Sequence, residues 1–284
     1  MRKNVKNIFT VDLEDWFHLP GVEDMISIDE WDNMESRVEQ NTTIILELLD
    51  KHKIKATFFV LGWIADRYPQ LVKTIDSKGH EIGTHGYSHL PIFKLGKQKF
   101  DSELKKSISS LKKIINKDIL GHRAPFFSIK DESIWAFEIL RKNGIIFDSS
   151  IFPQVRDLGG IKNPTFTRNN MYKIKTKHGI ILEYPMSMYG LINFRIPVCG
   201  GGYFRSLPYK FFAYCIRRLN NQGIPCVFYI HPRDIDSEQP VLDLSAYRTL
   251  KAYMGLKSAR YKLEKLLCDF NFRPMGDNLE VKNV

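Results

Sequence analysis

The sequence has no uninterrupted apolar run near the roughly 20 residues that a membrane-spanning helix needs, so no segment reads as one. Its four cysteines, Cys199, Cys215, Cys226 and Cys268, are widely spaced and form no CxxC pair, which removes the usual signature of a zinc ribbon or a redox site. They read as reduced, mostly buried thiols. There is no internal repeat and no low-complexity tract. The opening residues, MRKNVKNIFTVDLEDW, enter a strand-like run almost at once and leave no room for a secretory leader. The expectation is a cytoplasmic protein.

The 284 residues are 43% hydrophobic and 12% aromatic, enough to bury a sizeable core in one large α/β domain. The formal net charge is +10. In KQKFDSELKKSISSLKKIINK the lysines alternate with acids and with an apolar stripe, as on a solvated helix face, and form no block interleaved with aromatics. That pattern argues against a nucleic-acid partner. A basic surface would still favour loose peripheral association with anionic lipid headgroups or anionic glycans. Oligomeric state has no sequence signal.

Strands alternate with helices along the chain. NIFTVDL is a compact apolar run suited to a buried strand, and NTTIILELLDKHK carries apolar residues at helical spacing with Asn41 or Thr42 as the expected cap. KATFFVLG and HEIGTH read as further buried strands, separated by the amphipathic ADRYPQLVKTIDSKG, whose Gly79 suits a helix C-terminus. Phe100, Leu104, Ile108, Leu111 and Ile115 recur every three or four residues and predict a long helix. Then follow DILGHRAP, the helix DESIWAFEILRKNG, the strands IIFDSS and GIILEYPMS, a helix in PYKFFAYCIRRLNNQG, the strand IPCVFYIHP and the helix ARYKLEKLLCDF. Such alternation favours a parallel sheet, open or closed into a barrel. One domain spanning 1–284 is expected, with 154–207 as an insertion and loop region, Gly-rich from 190, and 240–284 as a C-terminal helical extension.

In parallel α/β folds the site gathers at the carboxyl ends of the strands. Each expected strand here ends in a chemically useful group: Asp12, Glu14 and Asp15 after the first, His85 and His89 after HEIGTH, then Arg123, Asp148, Glu183 and His231. Six such endings on one rim point to an active site. The ordered set TVDLEDW, THGYSH, GHRAPFFSI, FDSSIFP, EYPMS, GGGYFR and FYIHPRDID resembles the polysaccharide deacetylase family, which shares the NodB homology domain and forms carbohydrate esterase family 4. It is most similar to the branch found in exopolysaccharide gene clusters, which often carries a C-terminal extension. The resemblance runs from about residue 7 to residue 275. It implies a distorted (β/α) barrel of about seven strands, a divalent metal held by one carboxylate and two histidines, and hydrolysis of an N-acetyl group on a sugar.

The chemistry asks for the same residues. Amide hydrolysis at neutral pH needs a nucleophile, and a Lewis-acidic ion supplies one by lowering the pKa of bound water from about 15.7 toward 7. A catalytic zinc site has three protein ligands and an open position. His85 and His89, four residues apart, are the imidazole pair, and Asp15 is the preferred carboxylate with Glu14 as the alternative. The family's adjacent aspartates are separated here in TVDLED, and alternation along an extended segment also puts positions 12 and 14 on one side. Asp12 corresponds to the general base. Arg123 corresponds to the arginine that holds this base charged and oriented. His231 is the candidate general acid, with Asp148 as its expected carboxylate partner and Glu183 second. The acyl oxyanion would take a backbone N–H from the Pro125–Phe127 loop or the DSSI segment. Zinc is the first expectation for the metal, with cobalt, nickel or manganese compatible. His80 and His122 match no role in the family pattern and read as structural.

For an N-acetylated glycan substrate, GGGYFRSLP (200–208) offers a backbone open to close approach, an aromatic pair for stacking and Arg205 for an anionic group. Trp16, Phe17, Tyr87 and Phe126 either line the cleft or pack the barrel mouth. Two other readings differ in class: hydrolysis of a linear or cyclic amide that is not a sugar, and a catalytically silent glycan-binding module. Retention of ligands, base, arginine and acid together argues against the second.

Overall fold

A computed structural model of the chain describes residues 5–19, 22, 25–191, 194–277 and 279. In chain order the elements are β1 (Asn7–Leu13), α1 (Val38–Lys51), β2 (Thr57–Val60), α2 (Gly62–Arg67), α3 (Pro69–Ser77), β3 (Glu81–Thr84), α4 (Ile92–Ile115), β4 (Gly121–His122), α5 (Ala136–Lys142) and β5 (Phe147–Asp148). There follow β6 (Tyr172–Thr176), β7 (Gly179–Glu183), β8 (Met188–Leu191), β9 (Phe194–Pro197), α6 (Gly201–Ser206), α7 (Tyr209–Asn221), β10 (Val227–Ile230), α8 (Ala246–Tyr253), α9 (Leu256–Asp269) and β11 (Phe272–Arg273). The contacts divide the chain into two compact units, residues 1–56 with 187–273, and residues 57–186 with 274–284, where the sequence had suggested one domain.

In the first unit β1 is buried at all seven positions, as a strand covered on both faces must be. It pairs in parallel with β10, Val11 beside Ile230, and with β11, Asn7 beside Phe272. The expected C-terminal extension therefore returns a short strand to β1. Phe9, Phe228 and Phe272 pack ring against ring at centroid separations of 5.2 to 6.4 Å. In the second unit β2, β3, β4, β5 and β7 run parallel, with β6 antiparallel on β7 as a hairpin. With β1 and β10, seven strands among the described residues carry the expected α/β parallel pairing, and β11 adds a short eighth.

Two expectations change. Gly201–Ser206, read as part of a Gly-rich loop, is the short helix α6. Helix α1 begins at Val38, so neither Asn41 nor Thr42 caps it: Thr42 is buried within the helix, and the Asn41 amide donates to Asp236 at 2.9 Å. The cap comes instead from Asp15, distant in sequence.

Candidate active site

Because Val11 lies beside Ile230, the carboxyl ends of β1 and β10 coincide, and the residues that follow meet. Asp12, Glu14 and His231 each bring a ligand-type atom within 4.8 Å of the others. His231 Nε2 stands 4.0 Å from a carboxylate oxygen of Asp12 and 4.0 Å from one of Glu14. His231 also caps the 3-10 turn Pro232–Ile235. Asp234, three residues on, accepts the backbone N–H of His231 at 3.0 Å and contacts its Nδ1 at 2.9 Å. With Nδ1–H donated to a carboxylate, Nε2 faces Asp12 and Glu14. Burial opposes charge on this imidazole, but the carboxylates of Glu14, Asp234 and Asp12 outweigh it and push the pKa up to about 9.

The partner of His231 is thus Asp234 rather than Asp148. A signal for it lay in HPRDID, since a capping box ties residue i to i+3. Behind Asp234 stands Arg205, its Nε 2.8 Å from the second carboxylate oxygen, both side chains buried. Arg205 also donates to the carbonyls of Met254 (2.7 Å) and Lys251 (3.2 Å). It is spent on the protein interior and does not await an anionic substrate group. His231, Arg205 and Arg233 together hold the Asp234 carboxyl well below the usual range against the opposing effect of burial. The neighbouring glycines have a packing role as well: Gly200 has φ 129° and bridges Tyr229, and a Cβ there would overlap the Tyr229 carbonyl.

Asp15 is employed elsewhere. Its two oxygens accept from the backbone N–H of Trp16 (2.8 Å), the Ser36 hydroxyl (2.6 Å), and the backbone N–H groups of Arg37 (3.0 Å) and Val38 (3.2 Å). This carboxylate closes the N-terminus of α1. Burial raises its pKa, and those hydrogen bonds work against the rise. The sequence preference for Asp15 as metal ligand is corrected on this ground, because the chain has left strand geometry after Leu13 and Glu14 is the residue grouped with Asp12.

In the second unit Thr84 lies beside His122, which makes His85 and Arg123 neighbours at the ends of β3 and β4. His85 Nδ1 is 2.8 Å from the carbonyl oxygen of Arg123. A carbonyl only accepts, so Nδ1 carries the proton and the lone pair lies on Nε2, the tautomer of a metal-ligating histidine. The His89 ring centroid is 5.4 Å from that of His85 and 4.4 Å from Phe126. His89, Phe126 and Phe127 have φ of 54°, 58° and 55°, a left-handed conformation costing of order 1–3 kcal/mol each and typically kept at working sites. Arg123 is fully buried, donates to the carbonyl (3.1 Å) and hydroxyl (2.9 Å) of Ser149, and lies over the ring of Phe59.

Asp148, expected beside His231, holds His122 instead: His122 Nδ1 lies 2.6 Å from one oxygen, and the Ser150 N–H (2.8 Å) and hydroxyl (2.8 Å) complete the shell. His122, read as structural, is fully buried on that carboxylate. Burial raises the Asp148 pKa, and His122 with the other partners brings it below its usual value. Glu183, the second candidate, accepts the Ile151 N–H at 3.0 Å, and burial together with the adjacent Asp148 pushes its carboxyl well above the usual carboxylate range. Trp16 and Phe17 are buried as packing residues, whereas Tyr87 and Phe126 keep partial exposure.

Residues 25–145 match the family model described as polysaccharide deacetylase. Residues 25–145, 121 of the 284, are thus similar to polysaccharide deacetylases. Residues 149–280 match a domain of unknown function, DUF3473, so the family boundary does not coincide with the division into compact units. The peptidoglycan-N-acetylglucosamine deacetylase of Bacillus cereus is 33% identical over 129 residues, 45% of this chain and 45% of that protein. The chain spans less than half the length of these curated relatives that it matches. Among solved structures, a Mycobacterium smegmatis protein described as a polysaccharide deacetylase superposes with a TM-score of 0.60 over 95% of this chain and 88% of its own, at 19% identity. An allantoinase gives 0.59 over 98% and 90%, at 15% identity. At such identities the likenesses establish the fold.

Proposed function

We propose that this protein is a metal-dependent hydrolase that removes an N-acetyl group from an amino sugar in a poly- or oligosaccharide, or in its lipid- or nucleotide-linked precursor, during polysaccharide biosynthesis. The match of residues 25–145 to polysaccharide deacetylases supports the reaction class, and the observation that carries the mechanism is the tautomer of His85, fixed by Arg123 so that Nε2 offers a lone pair. By the resemblance of its motifs, the donor set we assign is Glu14, His85 and His89, one carboxylate and two imidazoles, the composition of a catalytic zinc site; cobalt, nickel and manganese suit the same donors. A divalent ion held there supplies Lewis acidity, activating water and polarising the acyl oxygen.

The chain's own residues do the rest. Asp12 takes the proton of the attacking water, and Arg123 keeps that carboxylate charged and oriented. His231 hands its proton to the leaving amine as the C–N bond breaks, and Asp234 holds the ring so that Nε2 delivers it. Several of the expected oxyanion donors are already committed within the protein. Pro125 has no N–H, and the N–H of Phe127 is donated to Ala124. In the DSSI segment the N–H groups of Ser149, Ser150 and Ile151 go to His122, Asp148 and Glu183. The N–H of Phe126, on a strained left-handed residue, is the one we assign.

Acetate release from N-acetylglucosamine oligomers, measured together with bound metal, tests this reading. Asp12→Asn is expected to lower turnover at least about 100-fold while the ion stays, and His85→Ala to lose both. Full turnover in either variant, or a protein that binds no divalent ion, overturns it. The allantoinase likeness reflects the fold alone and does not favour a non-sugar amide.

A further inference from the structure

Helix α8 presents apolar side chains on two opposite faces. The inner face, Ala252 and Tyr253, packs on Leu19 and Val22. On the outer face Tyr247, Leu250 and Met254 are 68%, 59% and 42% exposed, at the i, i+3, i+7 spacing that makes one stripe. This is no scatter of single surface residues. Five of the eleven large hydrophobics exposed among the described residues, Val241, Tyr247, Leu250, Met254 and Tyr261, lie within 241–261. The same stretch carries Arg248, Lys251, Lys257 and Arg260 against a single acid, Asp243. Lys251 stands beside the stripe, its ammonium 5.5 Å from the Tyr247 ring centroid.

A tyrosine, a leucine and a methionine rimmed by cations match a surface that is apolar beneath and anionic on top. Tyrosine suits that boundary, with its ring in the acyl layer and its hydroxyl among the headgroups. A protein partner would be expected to satisfy the tyrosine and lysines with directed acceptors; a leaflet needs only depth and negative charge. We propose that the outer face of α8 is a docking surface for an anionic lipid bilayer, which would bring this unit to membrane-borne glycan. The proposal stands on the exposed stripe and its charge, independent of the deacetylase chemistry.

Flotation with phosphatidylcholine vesicles, with and without about a third phosphatidylglycerol, tests it. Binding is expected to the anionic vesicles only and to weaken with added salt. Tyr247→Ser with Leu250→Ser, and separately Lys251→Glu, are each expected to reduce it about tenfold while leaving the thermal midpoint unchanged. No anionic-vesicle binding by the wild type, or undiminished binding by both variants, overturns the proposal. So does a concentration-dependent dimer that the serine variant abolishes, since a second copy would then cover the face.

Discussion

Both oxygens of Asp15 accept hydrogen bonds from the first turn of α1, whereas Glu14, one residue earlier, groups with Asp12 and His231. Removing Asp15 strands buried N–H groups, so Asp15→Ala is expected to lose about 2–3 kcal/mol in urea unfolding with ion content retained. Glu14→Gln is expected to do the reverse, leaving unfolding of the metal-free protein near wild type and abolishing stoichiometric ion binding. An inverted result would return the ligand role to Asp15. Arg205 is the other residue whose employment differs from its sequence appearance. Arg205→Met leaves the Asp234 carboxylate buried without its cation, and a loss of about 3–5 kcal/mol is expected. Arg205→Lys should restore only part, because a point ammonium cannot replace both the guanidinium's ion pair with Asp234 and its hydrogen bonds to the carbonyls of Met254 and Lys251. Equal stability of the Met variant in denaturant titration would refute that account.

At the scale of elements, buried strands and long amphipathic helices were legible because their periodicity is local. β1, β2, β3, β10 and α4 fall where hydrophobic pattern puts them, and the apolar stripe from Phe100 to Leu111 is indeed the inner face of α4. Short elements were not: α6 contains two glycines and forms because Gly200 and Gly201 let the backbone press against Tyr229. Two glycines with positive φ separate conformational from steric cost. Gly96 has φ 69° and open space around it, so Gly96→Ala should cost only about 1–2 kcal/mol. Gly200→Ala meets the Tyr229 carbonyl in addition, and its melting temperature should fall at least twice as far. Equal shifts would show that close approach is not what Gly200 provides.

For the molecule as a whole, acid stability follows from carboxylates held below their usual pKa. Burial pushes Asp236 up, yet Arg37 (2.6 and 3.1 Å), Asn41 and the N–H of Glu238 bring it down on balance. A depressed folded pKa adds stability above the unfolded value, near 3.9, and that stability is lost as pH falls through the folded one. The urea midpoint should therefore drop between about pH 5 and pH 3, and less steeply in Asp236→Asn; an unchanged slope would exclude this pair as a contributor. The sequence alone determined the strand and helix alternation, the position of Asp12, His85, Arg123 and His231 at or just after the ends of strands, and the likeness to polysaccharide deacetylases, because periodicity and the order of motifs are properties of the chain itself. Only tertiary structure decided that Glu14 rather than Asp15 joins Asp12, that Asp234 rather than Asp148 holds His231, and that Arg205 is interior. Choosing between like-charged neighbours depends on which donors packing brings to each oxygen, and those donors, Ser36 and Val38 for Asp15 or His122 for Asp148, come from elements that only folding makes adjacent.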